Sequence, residues 1–349
     1  MSVSFSKPGL FEPRRIGEMS PATKILLYSV LIGWSLFVIF PIYWLVITSF
    51  KTPATVNEGP FFIPFVDFQP SLHAWADLFI YDAADTFRAY FNSIVIAFSA
   101  TALSVFVGSM AAYSLSRIEF APNLITILYF VVLLVGAGVA IGVYGSDLWL
   151  TLAICVALFF LLARAVGRLY TVRLGNGDIL FWIISQRILA PIVVVVPIYM
   201  MFQSVRMLDT HIAIIITYAV VNLPIVVWLM FDFFNSIPRD LEESAQLDGA
   251  TMIMTFREIV LPLSRTGLAA TTLLVMIFSW NEYLFALFIS TSKAQTLPIL
   301  VAAMNAGERG ILWWTMSVAI IIMIIPVVAL AVVLQKYISK GLLVGAVKG

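Results

Sequence analysis

Charge is scarce in this sequence. Only 11% of its 349 residues are Asp, Glu, Lys or Arg, against about 25% in a soluble domain, and the mean hydropathy is +1.03. That balance excludes a soluble globular chain. A net charge of +1 leaves no basic bulk to attract nucleic acid. The single cysteine, Cys155, allows neither an internal disulfide nor a cysteine-based metal cluster. The two histidines, His73 and His211, lie far apart, and no acidic, His or Cys group has metal-ligand spacing. No glycine-rich loop runs into Lys-Ser or Lys-Thr, so the chain cannot cradle ATP in the P-loop manner. A membrane enzyme would need catalytic residue types gathered at one depth, and a repeat-built secondary transporter would show internal symmetry. Neither pattern is present.

Long apolar runs are what the sequence does have. A spanning helix needs roughly 20 mostly apolar residues, and eight runs meet or approach that length: Ile25 to Phe50, Phe91 to Leu115, Leu124 to Gly145, Leu148 to about Val166, Ile179 to Phe202, His211 to Phe231, Gly267 to Ile289 and Ile311 to Leu334. The reading is an all-α polytopic membrane protein. The joint "GVYGSD" between the third and fourth runs is either a tight turn between two full crossings or the tip of a re-entrant pair. With eight crossings and the N-terminus inside, both termini are cytoplasmic. Of the 20 Lys and Arg, only Lys51, Arg88, Arg206, Lys293 and Arg309 then fall outside, as the positive-inside bias requires. The polar start, too long and mixed for a signal peptide, is read as an uncleaved cytoplasmic tail. The outer loop 51–90 is the longest outward piece, and its "SLHAWADLF" reads as a short surface helix opened by Ser71.

One stretch breaks the oily pattern: "PRDLEESAQLDGATMIMTFREIVLP", residues 238–262, on the cytoplasmic side of this topology. Ser236 is the expected N-cap, with Pro238 in the first turn. Asp240, Glu242 and Glu243 then sit where the helix dipole favours carboxylates. Gly249 permits a turn or a positive φ. A second helix-prone run places Met252, Thr255, Phe256 and Ile259 on one face, and Pro262 stops or bends it. Two short helices with a glycine hinge would lie across the inner face. Spacing alone leaves open whether they cover the bundle or dock something.

The segment resembles the cytoplasmic coupling motif of binding-protein-dependent ABC importer permeases: Glu243-Ser244-Ala245, then Asp248-Gly249-Ala250, then Phe256 and Leu261-Pro262. Ser244 stands where the family most often has Ala. "NLPIVVWLMFDFF", "SWNEYLFAL", "GLLVGAVKG", "FRAYFNSIVIA" and "AAYSLSRIEF" are similar to the MalG-like permeases of the sugar-importing branch. The resemblance covers roughly residues 25–120 and 180–349. It implies a type I importer core of six helices, to which the apolar hairpin 121–180 adds two spans, an even number that leaves both flanks inside. The order is then a cytoplasmic tail 1–24, a first core part 25–120, the insertion 121–180, a second core part 181–335 with the coupling loop 236–262, and a tail 336–349.

The resemblance further implies a multi-pass chain in the inner (cytoplasmic) membrane of a bacterium or archaeon, with lipid around it, a second permease subunit in a heterodimer, two copies of a cytoplasmic nucleotide-binding ATPase and a periplasmic or extracytoplasmic solute-binding protein. ATP and magnesium belong to the ATPase, and this chain carries no cofactor, no metal and no catalytic residue. Arg239, Glu242, Glu243, Ser244, Ala245, Asp248, Gly249, Ala250 and Pro262 would couple to the ATPase, Glu243 supplying the charged contact and the tail with Gly345, Lys348 and Gly349 reaching the same subunit. The solute would be a carbohydrate, with a polyol or a phosphorylated polyol, or a non-transporting scaffold, as alternatives. For the solute path the candidates are Asn222, Asn281, Glu282 and Tyr283. An ionisable residue within a span is costly and marks function by default, although Glu282 could equally be a buried structural partner. The insertion is open between a lipid-facing addition, a docking surface and a modifier of the path.

Overall fold

The computed structural model describes residues 19–142, 144–167, 173–305 and 311–346. Among these residues the chain is helical, with only two isolated bridges and no strand. In order the helices are α1 (Pro21–Thr48), α2 (Pro53–Glu58), α3 (His73–Ala76), α4 (Ala83–Arg117), α5 (Leu124–Gly142), α6 (Leu148–Gly167), α7 (Asn176–Ser185), α8 (Pro191–Ser204), α9 (His211–Asn235), α10 (Asp240–Leu247), α11 (Met252–Thr255), α12 (Leu261–Leu263), α13 (Arg265–Trp280), α14 (Leu284–Ile289), α15 (Leu297–Ala303) and α16 (Trp313–Ala346).

Among the described residues, five helices are long and apolar enough to cross a membrane unbroken: α1, α4, α5, α9 and the Trp313–Gln335 stretch of α16. Two further stretches qualify only as bent pairs, Asn176–Ile188 with α8 at 91° and Met252–Leu263 with α13 at 80°. Trp149–Ala163, within α6, is a shorter apolar helix.

The run Ile179 to Phe202 is a bent pair of helices rather than a straight one. Pro191 opens α8, and the residue before it, Ala190, is extended at φ −62°, ψ 129°, as the proline ring demands. Pro197 stays inside α8. The run Gly267 to Ile289 breaks after Trp280, without glycine or proline. There Asn281 turns its side-chain amide back onto the Ile277 carbonyl at 2.8 Å, and the Glu282 carboxylate accepts the Phe285 N–H at 3.2 Å. Both side chains offer the backbone partners outside the helical ladder, and a new helix starts. Finally, the segment after Ser71 is the expected short helix, the Ser71 hydroxyl accepting the His73 N–H at 3.2 Å, and one of its faces is buried. α3 and the wide turn that follows it to Tyr81 bury Ala74 and Leu78 against Val318 and Ala319.

The chain forms two compact units. In the first, Met1–Tyr90 with Leu297–Pro326, Trp75, Phe79, Val301, Trp314 and Ile322 close around α3. Ser20 caps α1, accepting the Thr23 N–H at 3.2 Å, and Pro21 takes its first turn. α1 is apolar on every side, yet only Ile47 and Thr48 at its end are buried, so lipid or another chain must cover it. Lys51 is buried in the same unit, its ammonium donating to the Phe61 carbonyl at 2.7 Å and lying 4.3 Å from the Trp44 ring centroid.

In the second unit, α4 and α9 bury Ala112, Tyr113, Val226, Val227, Met230 and Phe234. α13 packs on α9 at Gly267, whose missing side chain leaves room for the Phe233 ring. α5 and α6 form a hairpin that packs on itself: Tyr129 donates to the Leu158 carbonyl at 3.0 Å, and Phe159 stacks on Tyr129 and meets Phe130 edge-on. Its base is stitched shut. The Leu174 N–H donates to the Pro122 carbonyl at 3.0 Å. Asn176 donates to the Leu115 and Ile118 carbonyls, both at 2.7 Å, and accepts the Phe120 N–H at 2.8 Å.

Candidate functional site

The charged stretch folds as two short helices around Gly249, which adopts φ +89°. That left-handed conformation is cheap only for glycine. The chain then reverses: the Gly249 N–H reaches the Gln246 carbonyl at 3.0 Å and the Ala250 N–H the Ala245 carbonyl at 3.0 Å. Thr251 caps the second helix, accepting the Met254 N–H at 3.3 Å. Ser236 does not cap the first. Its hydroxyl donates to the Phe233 carbonyl at 2.7 Å and its N–H closes the end of α9. α10 starts at Asp240 behind Arg239, and Pro238 precedes it.

The two adjacent glutamates part company. Glu242 is 3% exposed and faces the C-terminal end of α4. It accepts from the Tyr113 hydroxyl at 2.8 Å and the Arg117 Nε at 2.7 Å, and pairs with the Arg117 guanidinium. Arg117 also donates to the Phe234 carbonyl at 2.9 Å, and Arg239 donates to the Ser116 carbonyl at 3.1 Å. Tyr113, Phe234 and Phe256 pack ring to ring beneath the pair. Glu243, Ser244, Asp248 and Gly249 are exposed instead, and Ala245, Ala250 and Pro262 are half-buried. Leu247 is 89% exposed, and Ile253 and Met254 are exposed beside it. A hollow of about 510 Å³ runs between Tyr113, Arg117, Glu242, Gln246 and Met252. Of the tail, Gly345 is helical within α16; Lys348 and Gly349 lie outside the described residues.

Three of the four path candidates meet. Asn222, Asn281 and Glu282 line one cavity of about 250 Å³ with Arg187, Tyr218 and Phe278. Tyr283 does not line it. Arg187 sits in the bend before α8. Its guanidinium donates to the Asn222 Oδ1 at 2.8 Å and lies 5.3 Å from the centroid of the Phe278 ring. Asn222, 4% exposed, donates in turn to the Ser279 hydroxyl at 3.0 Å. The Tyr218 hydroxyl donates to the Glu282 carbonyl at 2.9 Å. The signal for Arg187 was present in the sequence, as an arginine followed closely by a proline inside an apolar run.

A third cluster escaped sequence reasoning. Asp209, at φ +58°, accepts the N–H groups of Thr291, Ser292, Lys293 and Ala294 at 3.0–3.1 Å. Burial alone would raise its carboxyl, but the four N–H donors outweigh burial and hold it below the usual carboxylate range. Asn92 donates to the Lys293 and Gln295 carbonyls and meets His211 at 2.7 Å. This clasp ties the turn before α9 to the loop after α14.

Comparison with known proteins agrees with this architecture. Residues 166–344 match the family described as the binding-protein-dependent transport system inner membrane component. The chain is 30% identical to the trehalose/maltose transport system permease protein MalG of Thermococcus litoralis, over 93% of this chain and 97% of that one. It is 28% identical to the sulfoquinovosyl glycerol transport system permease protein SmoH of Agrobacterium fabrum, over 89% of each. Its fold is similar to a chain of a bacterial ABC transporter involved in the import of the acidic polysaccharide alginate, with a TM-score of 0.59 at 20% identity, covering 90% of this chain and 96% of that one. On the family match and the 30% identity over nearly the whole chain, the protein belongs to the inner membrane components of binding-protein-dependent transport systems, as a MalG-like permease.

Proposed function

We propose that this permease is one half of the membrane part of an ATP-driven importer for a carbohydrate or a sugar-like solute. One observation carries the coupling role. On α10, Glu242 faces inward and is locked to α4, whereas Glu243 and Leu247, with Ile253 on α11, face outward with nothing among the described residues to cover them. A segment gripped on one side and bare on the other is built to pass on a push. The bare side combines a carboxylate, which gives a charged contact direction, with apolar side chains that a partner surface would bury.

In this reading the partner is an ATPase subunit, present in two copies and carrying ATP and magnesium. A second, different permease completes the membrane part, and an external binding protein delivers the solute. Closure of the ATPase pair moves α10, and the Arg117–Glu242 anchor passes the movement to α4. Both termini are cytoplasmic, with the hairpin α5–α6 as two added crossings; the closed base at Pro122 and Leu174 supports an even number. The relatives that handle trehalose, maltose and sulfoquinovosyl glycerol favour a sugar-type solute.

The test is uptake of labelled sugar by the assembled complex with Gly249→Val. A β-branched residue at φ +89° is strained, by about 1–2 kcal/mol, and would turn α10 away from its partner. Expected is loss of uptake with the complex still assembled and the binding protein still loaded. Normal uptake would remove Gly249 from the mechanism. Failure of the chain to co-purify with any ATPase would remove the reading itself.

A further inference from the structure

We propose that a groove between α4 and α13 holds one acyl chain of an anionic phospholipid, and that this lipid braces the hinged charged segment. The groove, of about 370 Å³, follows one face of α4 from Phe98 to Ser109 and the facing side of α13 from Leu268 to Met276. Thr101 donates to the Met276 sulfur at 3.7 Å, which sets the two helices level at one end. Phe256 and Leu261, from the hinged segment, close the other. Apart from Thr101, Ser109 and Thr272, every lining residue is apolar. The length followed on α4 is about 16 Å, which suits a single alkyl chain better than a compact solute. Phe98 and Phe106 are exposed on α4 at its edge, so it opens sideways, where lipid surrounds the helix.

Two further observations name the occupant. Ser109 is 3% exposed, and its hydroxyl has no hydrogen-bond partner among the described residues. A buried hydroxyl is costly without a partner. Ser109 lies toward the end closed by Phe256, where the carbonyl of an acyl ester would accept its proton. The second observation is charge. Leu268, Thr272 and Met276 line the groove at four-residue spacing, and Arg265 continues that face of α13 by one turn. Arg257 follows Phe256, and both arginines are exposed. Guanidinium groups bind phosphate strongly, and basic side chains beside the inner leaflet attract anionic lipid. The consequence runs through Phe256. Its ring centroid lies 4.8 Å from that of Tyr113 and 6.0 Å from that of Phe234, and Tyr113 donates to Glu242. A chain in the groove supports Phe256 from the other side and so steadies the anchor on α4. The inner-leaflet assignment and the bracing rest on the permease reading; retention of the lipid does not.

Native mass spectrometry of the permease–ATPase complex, released from nanodiscs of equal phosphatidylglycerol and phosphatidylcholine, counts the retained lipid. The wild type is expected to keep phosphatidylglycerol at least fivefold over phosphatidylcholine. Ala102→Trp fills the groove from an exposed position on α4 and is expected to lower retention at least fivefold. Val107→Trp, exposed on α4 but outside the groove, is expected to leave it unchanged. Arg265→Gln is expected to bring the two lipids level. The proposal is overturned if the wild type retains no lipid or shows no preference, or if the two tryptophan variants behave alike. A benzophenone carried by Ala102→Cys, in a Cys155→Ser chain, is expected to label lipid. Labelling of the second permease would put a protein helix in the groove and overturn the proposal. Stimulation of ATP hydrolysis by the binding protein reads the bracing. It is expected to fall at least fivefold in Ala102→Trp and in nanodiscs of phosphatidylcholine alone; unaltered stimulation would overturn that role. If the wild type shows no stimulation in any lipid, the permease reading falls, while the lipid counts still decide the site.

Discussion

Glu242 and Glu243 are neighbours of one chemistry with opposite expected phenotypes. Glu242 is enclosed with Arg117 and Tyr113, and removing one partner of a buried pair leaves the other charge stranded, at a cost of about 3–5 kcal/mol. Glu242→Ala is therefore expected to lower the thermal unfolding midpoint of the purified complex. Glu243→Ala, at an exposed helix position, is expected to change stability by less than about 0.5 kcal/mol while weakening retention of the ATPase during purification. Equal effects of the two substitutions on both measurements would contradict the inward and outward assignment. The sequence put both residues in the coupling motif but could not say which faced in, because that depends on where Arg117 arrives from more than a hundred positions away.

Between elements, two contacts decide how helices sit. The helix α13 approaches α9 at Gly267 and Phe233. Gly267→Ala would force the ring aside, and overpacking of this kind costs about 1–3 kcal/mol. Thermal unfolding should show the loss, and Phe233→Leu in the same chain should restore part of it. The Asp209 clasp is sensitive to acid. Its folded carboxyl lies below the usual range, so its contribution is full above the unfolded value of about 3.9 and is lost as pH falls through the folded value. Amide exchange at residues 291–294 should stay slow from neutral pH to about pH 4 and quicken only below it. With Asp209→Ala it should be fast throughout.

For the whole molecule, the hairpin α5–α6 is the separable part. Its two ends are hydrogen-bonded at Pro122 and Leu174, so residues 123–173 can be replaced by a short Gly-Ser linker without moving either flank. The shortened chain is expected to assemble with its partners and to transport at a rate within a few-fold of the full chain. A chain that assembles but no longer transports would assign the hairpin a place in the mechanism.

Hydropathy and charge by themselves determined a polytopic helical membrane protein, because burial in lipid requires long apolar runs with internally bonded backbone. The Asp248-Gly249 dipeptide and its surrounding carboxylates marked the hinged inner segment, since left-handed backbone and helix dipoles are local physics. Tertiary structure alone decided the rest. Hydropathy cannot see that Asn281 and Glu282 end a helix by bonding their own turns, and although Pro191 marks a break in its apolar run, the sequence does not set that bend at a right angle. It could nominate Asn222 and Glu282 by their cost in a membrane, but not their meeting with Arg187. That encounter depends on two helix breaks facing one another across α9, a relation between distant segments that no local pattern encodes.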